Sequence, residues 1–165
     1  LEQKNNYSDT SFLKLSNLVL ESNNLFLSSN FGLVLKVDVK TGKIIWSNIS
    51  SSNILPIVTK NSIILANKNG VVSIFDKISG KLLFRKNLFD ILKSNKIKLK
   101  KIEVNSLFLA SNTIYVSTNR GFFFEINASN LKSITYLKTS KIVQSNLVFS
   151  NGFVYFISKN KIYKI

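Results

Sequence analysis

From Leu18 onward the chain is a succession of short apolar runs broken by clusters of Asn, Ser and Gly. Leu25-Phe26-Leu27, Leu33-Val34-Leu35, Ile63-Ile64-Leu65-Ala66, Ile114-Tyr115-Val116 and Val154-Tyr155-Phe156-Ile157 are examples. The runs are nearly continuous in apolar character rather than strictly alternating, which is the pattern of strands covered on both faces. They are rich in Val, Ile, Leu and Phe, and the clusters between them are turn formers. Pro56 is the single proline, so few strand ladders are interrupted. No amphipathic helical stripe persists, and the only helical turn expected is over Leu88 to Leu92. The pattern predicts an all-β chain of short antiparallel strands.

The strands recur with a period. Gly32 and Gly70 are 38 residues apart, and so are Asp38 and Asp76. Gly70 to Gly121 is 51 residues, and so is Asp76 to Asn127. A further copy begins at Val154 and stops at Ile165, 39 residues after Ile126. Repeats of about 40–50 residues built from short strands are the mark of β-propeller blades, each a four-stranded antiparallel sheet. Blades are expected over residues 11–50, 51–92, 97–139 and 140–165. In the first copy, Leu18–Glu21, Leu25–Ser28, Leu33–Val37 and Lys43–Ser47 supply the four strands. The fourth copy lacks a last strand. The chain thus reads as three and a half to four blades of a larger propeller of seven or eight. It begins at Leu1 and contains no Met, as expected of part of a longer chain.

Each repeated residue has a local reason. Gly32, Gly70 and Gly121 sit between the second and third strands, where a tight hairpin calls for positive φ. Asn160, tolerant of that conformation, stands there in the fourth copy. Between the third and fourth strands runs Asp38-x-x-Thr41-Gly42 and then Asp76-x-x-Ser79-Gly80. The carboxylate is expected to accept hydrogen bonds from the backbone N–H groups of its own turn. Four residues after each glycine come Trp46 and Phe84, placed on the outermost strand to cover the joint to the next blade. In the third copy Leu131 stands in the glycine position and Thr135 in the aromatic one, with Asn130 as a turn former.

The segment Val37-Asp38-Val39-Lys40-Thr41-Gly42-Lys43-Ile44-Ile45-Trp46 resembles the tryptophan-docking motif of the PQQ-like propeller repeats, Ala-x-Asp-x-x-x-Gly-x-x-x-Trp, with Val for Ala. That resemblance implies that Trp46 stacks on a peptide of the neighbouring blade, with Phe84 as a weaker counterpart lacking the indole N–H. Two groups share these repeats. One holds pyrroloquinoline quinone and Ca²⁺ and oxidises alcohols or sugars. The other is non-catalytic and includes the BamB-type lipoproteins of the outer-membrane barrel-assembly machinery. The ending, with Tyr155-Phe156-Ile157 and Lys161-Ile162-Tyr163-Lys164-Ile165, is similar to that of BamB-type proteins. There the last blade is completed by a strand from the N-terminal part of the propeller.

Composition narrows the choice. The chain has no Cys and no His, which excludes disulfides and thiol catalysis and removes the commonest general base and metal ligand. Calcium at a quinone site needs several convergent oxygen ligands. The acids Glu2, Asp9, Glu21, Asp38, Asp76, Asp90, Glu103 and Glu125 are scattered singly. No enzyme activity, no cofactor and no metal are therefore expected, the alternative being a fragment of a quinone-dependent dehydrogenase. No stretch approaches the ~18 apolar residues of a membrane helix. The net charge of +15 suits an anionic partner, but with nearly all of it carried by Lys it is better explained by an AT-biased coding sequence in which Lys is the default soluble residue. Only Arg85 and Arg120 are arginines, which argues against nucleic acid, where the Arg fork reads phosphates and guanine.

The resemblance implies a non-enzymatic periplasmic scaffold, anchored at the outer membrane by an N-terminal lipid outside this segment. Its implied partners are the periplasmic domains of the barrel-assembly protein and the remainder of its own propeller. About a dozen extra residues between Asn87 and Val104 lengthen the second period. There Lys96, Lys98, Lys100 and Lys101 alternate with Ile97 and Leu99. As a strand, the segment would present Lys96, Lys98 and Lys100 on one face. That face would be offered to an acidic partner or an anionic membrane surface, or would guard a strand edge. Phe122-Phe123-Phe124 is expected in the innermost-strand register, packed into the core.

Overall fold

The computed structural model describes residues 18–29, 32–98, 100–145 and 147–165. Residues 11–17, assigned above to the first blade, and Asn30, Phe31, Leu99, Glu2 and Asp9 lie outside the described residues. The first sheet comprises β1 (Val19–Glu21), β2 (Asn24–Ser28), β3 (Leu33–Asp38) and β4 (Ile44–Ile49) in that spatial order. The second comprises β5 (Ile57–Val58), β6 (Ser62–Ala66), β7 (Val71–Asp76) and β8 (Leu82–Asn87). A short helix, α1 (Phe89–Ser94), leads to the third sheet: β9 (Val104–Ala110), β10 (Thr113–Thr118), β11 (Phe122–Asn127) and β12 (Ile134–Lys138). The last sheet has three strands, β13 (Val148–Ser150), β14 (Phe153–Ser158) and β15 (Lys161–Lys164). All pairings within the sheets are antiparallel between chain neighbours.

The sheets stack face to face in chain order, and three apolar clusters fill the joints. Phe26, Val34 and Trp46 of the first sheet meet Ile63, Leu65 and Phe75 of the second. The opposite face of the second sheet, with Ile64, Val72 and Ile74, meets Ile114, Val116, Phe122, Phe124 and Ile126 of the third. Phe123 turns the other way, into a cluster with Val154 and Phe156 of the fourth. This explains the unbroken apolar runs. Strands β7 and β11 alternate their side chains between two neighbouring sheets, so both sets of positions are buried. The first strands β5 and β9 of adjacent sheets approach one another, and β8 and β12 lie at the far, more exposed edges. This is the architecture of consecutive propeller blades.

Two expectations need correction. Phe122-Phe123-Phe124 is buried, at 4%, 2% and 0% exposure, but it lies in β11, between β10 and β12, and not in an innermost strand. Apolar density marks burial by both neighbours, which a central strand of an inner blade has as much as an axial one. The lysine-rich insertion is not a strand. It forms α1 and then turns in which Lys96 and Lys101 adopt φ of 59° and 56°. Alternation needs a ladder partner to become a strand. Here the apolar residues anchor singly instead: Phe89, Leu92 and Ile102 are buried in the joint between the second and third blades, and Ile97 packs against them. Lys96, Lys98, Lys100 and Lys101 are all exposed and lie in turns or irregular backbone, outside any described strand.

Candidate functional site

The first blade joint is built from the turn between β7 and β8. Within it, Asp76 Oδ1 accepts hydrogen bonds from the Ser79 backbone N–H at 2.7 Å, the Ser79 hydroxyl at 2.7 Å and the Ile78 N–H at 3.1 Å. Asp38 does the same in the first blade, accepting from the Thr41 N–H at 2.8 Å and its hydroxyl at 2.9 Å. These bonds favour the ionised form. Both carboxyl groups are held below the usual carboxylate range, chiefly by the backbone N–H of Thr41 or Ser79 and then by that residue's hydroxyl. The Gly42 and Gly80 amides close the turns onto the Asp38 and Asp76 carbonyl oxygens.

Four side chains of the first blade hold the turn of the second. The Trp46 indole N–H donates to the Lys77 carbonyl at 3.2 Å, and Lys36 Nζ reaches the same oxygen at 3.3 Å. Asn48 Nδ2 donates to the Gly80 carbonyl at 2.6 Å. Glu21 pairs with Lys77 Nζ at 2.9 Å, where the lysine side chain is largely buried. The sequence singled out Trp46 and Gly80. Glu21, Lys36, Asn48 and Lys77 carry no motif, because their roles depend on how two blades face each other.

The register explains why Trp46 arrives there. Pairing of β3 with β4 slips by one residue between Lys36 and Val37, which sets Trp46 opposite Lys36 on the face toward the second blade. The same slip between Ile74 and Phe75 sets Phe84 opposite Ile74. Phe84 packs against the apolar cluster that fills the joint with the third blade. A cleft of about 410 Å³ opens in that joint, lined by Ile64, Ile74, Leu83, Leu109, Ile114 and Leu131 among others. In the third blade β11 and β12 pair in continuous register, with Thr135 exposed opposite Glu125. Its turn is closed by Asn127, whose Oδ1 accepts from the Ser129 and Asn130 amides at 2.9 and 2.8 Å. Asn130 contributes its carbonyl, which accepts from the Ser133 N–H.

No three of the described His, Cys, Asp or Glu residues lie together as a metal site. The described acids are dispersed: Asp38 and Asp76 in turns, Glu21, Asp90 and Glu103 beside Lys77, Lys93 and Lys68. Glu125 lies on β11. This donor set does not fit a calcium-bound quinone within the described blades.

A family model for the outer membrane protein assembly factor BamB matches residues 3–86 and 23–165, which together cover almost the whole chain. The chain belongs to the BamB family. Among solved structures, BamB from Moraxella catarrhalis aligns with a TM-score of 0.68 at 17% identity, over 90% of this chain and 41% of its own. Saccharomyces cerevisiae Sqt1 aligns with a TM-score of 0.71 at 13% identity, over 92% and 45%. Quinohemoprotein alcohol dehydrogenase from Comamonas testosteroni aligns at 0.58 and 13% identity, over 73% and 20%. At such identities the likeness is one of fold. No curated protein sequence matches. This BamB-family chain spans less than half the length of these structural relatives.

Proposed function

We propose that this BamB-family chain is a non-catalytic periplasmic scaffold of the outer-membrane barrel-assembly machinery, engaging the periplasmic domains of the barrel-assembly protein through propeller loops. The observation that carries the reading is the match of the BamB model across both ends of the chain. The architecture supports it. The joint locked by Trp46 and its partners and the apolar clusters of the other joints hold the blades together, and the loops that such a frame displays are where binding is placed. Anchorage by an N-terminal lipid, and packing of these blades against further blades of the same propeller, belong to the same proposal. The blade ranges 11–50, 51–92, 97–139 and 140–165 are its proposed units.

The test is a pull-down of the full-length protein with the barrel-assembly protein's periplasmic domains. Retention at physiological salt is expected, and its absence would count against the scaffold role. The dehydrogenase reading draws on the fold likeness to the Comamonas enzyme. Dye reduction with an alcohol substrate, after reconstitution with quinone and calcium, would replace the scaffold proposal with that one.

A further inference from the structure

The loop end that carries the β6–β7 and β10–β11 hairpins also carries the insertion, and backbone bonds tie the three together. The Val104 N–H donates to the Lys68 carbonyl at 3.0 Å, and the Asn119 N–H to the Glu103 carbonyl at 2.9 Å. The Glu103 N–H donates to Asn119 Oδ1 at 3.0 Å, and Asn119 Nδ2 to the Lys101 carbonyl at 3.2 Å. Lys68, Lys96, Lys98, Lys100, Lys101 and Arg120 are all exposed on this tied set of loops. Underneath, Phe89, Leu92 and Ile102 are buried at 6%, 0% and 9% exposure. Phe89 is seated on Gly70, where a Cβ would lie 2.7 Å from its ring. The charges are thus borne on anchored backbone, and less ordering is needed when they meet a partner.

The charge is poorly compensated. Between residues 88 and 121 the carboxylates are Asp90 and Glu103. Asp90 is spent on Lys93 at 3.1 Å in an exposed i,i+3 pair, and Glu103 reaches Lys68 at only 3.8 Å with both side chains more than half exposed. Such pairs contribute little. The opposite loop end has its lysines interspersed with Glu21, Asp38 and Asp76.

We infer that this loop end is a docking surface for an anionic phospholipid bilayer. Five of the six side chains named above are lysines, which are point charges without the planar fork that reads one structured anion. They are spread over several loops, so they suit a laterally mobile field of headgroups. The described aromatic side chains next to these loops are engaged elsewhere: Phe89 is buried on Gly70, and Phe122, which follows the β10–β11 hairpin, is buried in the joint between the second and third blades. That leaves no described aromatic platform here for nucleic-acid bases. The inference stands on charge and geometry and does not depend on the scaffold proposal.

Co-sedimentation of the full-length protein with vesicles tests it, comparing mixed phosphatidylcholine–phosphatidylglycerol with phosphatidylcholine alone. Each lysine at an anionic surface strengthens binding about fivefold. The variant with Lys96→Gln, Lys98→Gln, Lys100→Gln and Lys101→Gln is expected to lose at least about tenfold in partition to the anionic vesicles. A control carries the same loss of charge at the opposite loop end: Lys40→Gln, Lys43→Gln, Lys81→Gln and Lys132→Gln. It is expected to lose far less. Circular dichroism checks that both stay folded. Equal losses in the two variants would overturn the inference, since binding would then follow net charge. Tighter binding to polyglutamate or duplex DNA than to the vesicles, with the same loss in the insertion variant, would overturn the choice of lipid.

Discussion

The Trp46 indole occupies the space that a side chain at position 80 would need: a Cβ on Gly80 would lie 2.7 Å from Trp46 Cδ2. Gly80 also has φ of +74°, a conformation that costs other residues energy. The second blade's turn and the first blade's tryptophan therefore depend on each other. Trp46→Ala is expected to destabilise the protein by about 3–5 kcal/mol, as for other buried aromatics. Trp46→Phe keeps most of the packing but removes the donor to Lys77, at a cost of about 1 kcal/mol. Gly80→Ala combines backbone strain with overpacking and is expected to cost about 1–3 kcal/mol. In the double variant Trp46→Ala, Gly80→Ala the overpacking cost disappears. The two effects should then fall short of additive in a denaturation cycle. Strict additivity would show that indole and glycine are not coupled.

Asp38 and Asp76 give the pH response its sign. Their turns hold both carboxyl groups below the ordinary value of 3.8. The folded state therefore binds fewer protons than the unfolded state as acid is added. Their stabilisation is complete above 3.8 and is lost as the pH falls through the lower folded values. Thermal melts are expected to show melting temperature falling across that acidic window, and falling less steeply in Asp38→Asn, Asp76→Asn. The amide should preserve the turns, because Asn127 already closes the third blade's turn through its Oδ1. Unchanged acid sensitivity in the double variant would assign that sensitivity to other groups.

The two turns and the Trp46 joint show what was legible in the sequence. The Asp-x-x-Thr/Ser-Gly turns are local, so residue types at fixed offsets were enough to read their hydrogen bonds. The docking role of Trp46 came from its motif. The Lys77 carbonyl as acceptor, and the parts played by Asn48, Lys36 and Glu21, depend on the bulge in β4 and on how two sheets face each other. No offset within one blade encodes that. The insertion misled because its alternating lysines satisfied the period of a strand. The deciding fact was that Ile97 and Ile102 each find their own place in the joint under the second and third blades.

The insertion is accordingly expected to behave as core and not as an appended loop. Leu92 is fully buried on α1, so Leu92→Ala should cost about 2–5 kcal/mol, within the range of buried leucines. The neighbouring exposed change Lys93→Ala should fall within about 0.5 kcal/mol of the parent. Chemical denaturation measures both. A Leu92→Ala effect as small as that of Lys93→Ala would mean that α1 is dispensable for the joint.

The last described blade should open first. Its three strands present β13 wholly exposed and β15 nearly so, and its joint to the third blade is a small cluster around Phe123, Val154 and Phe156. Phe123 meets Phe156 with ring centroids 5.4 Å apart, whereas the preceding joint buries a much larger set of residues. Thr135 stands where the first blade has its docking tryptophan, so no indole locks this joint. Local opening free energy follows such differences in buried apolar contact. Hydrogen exchange on the chain is expected to be fastest in β13 to β15 and slowest in β6, β7, β10 and β11. Phe123→Ala should accelerate exchange in the last blade while leaving the first joint, at Trp46 and Gly80, protected. Uniform acceleration through all four blades would show instead that they unfold as one cooperative unit.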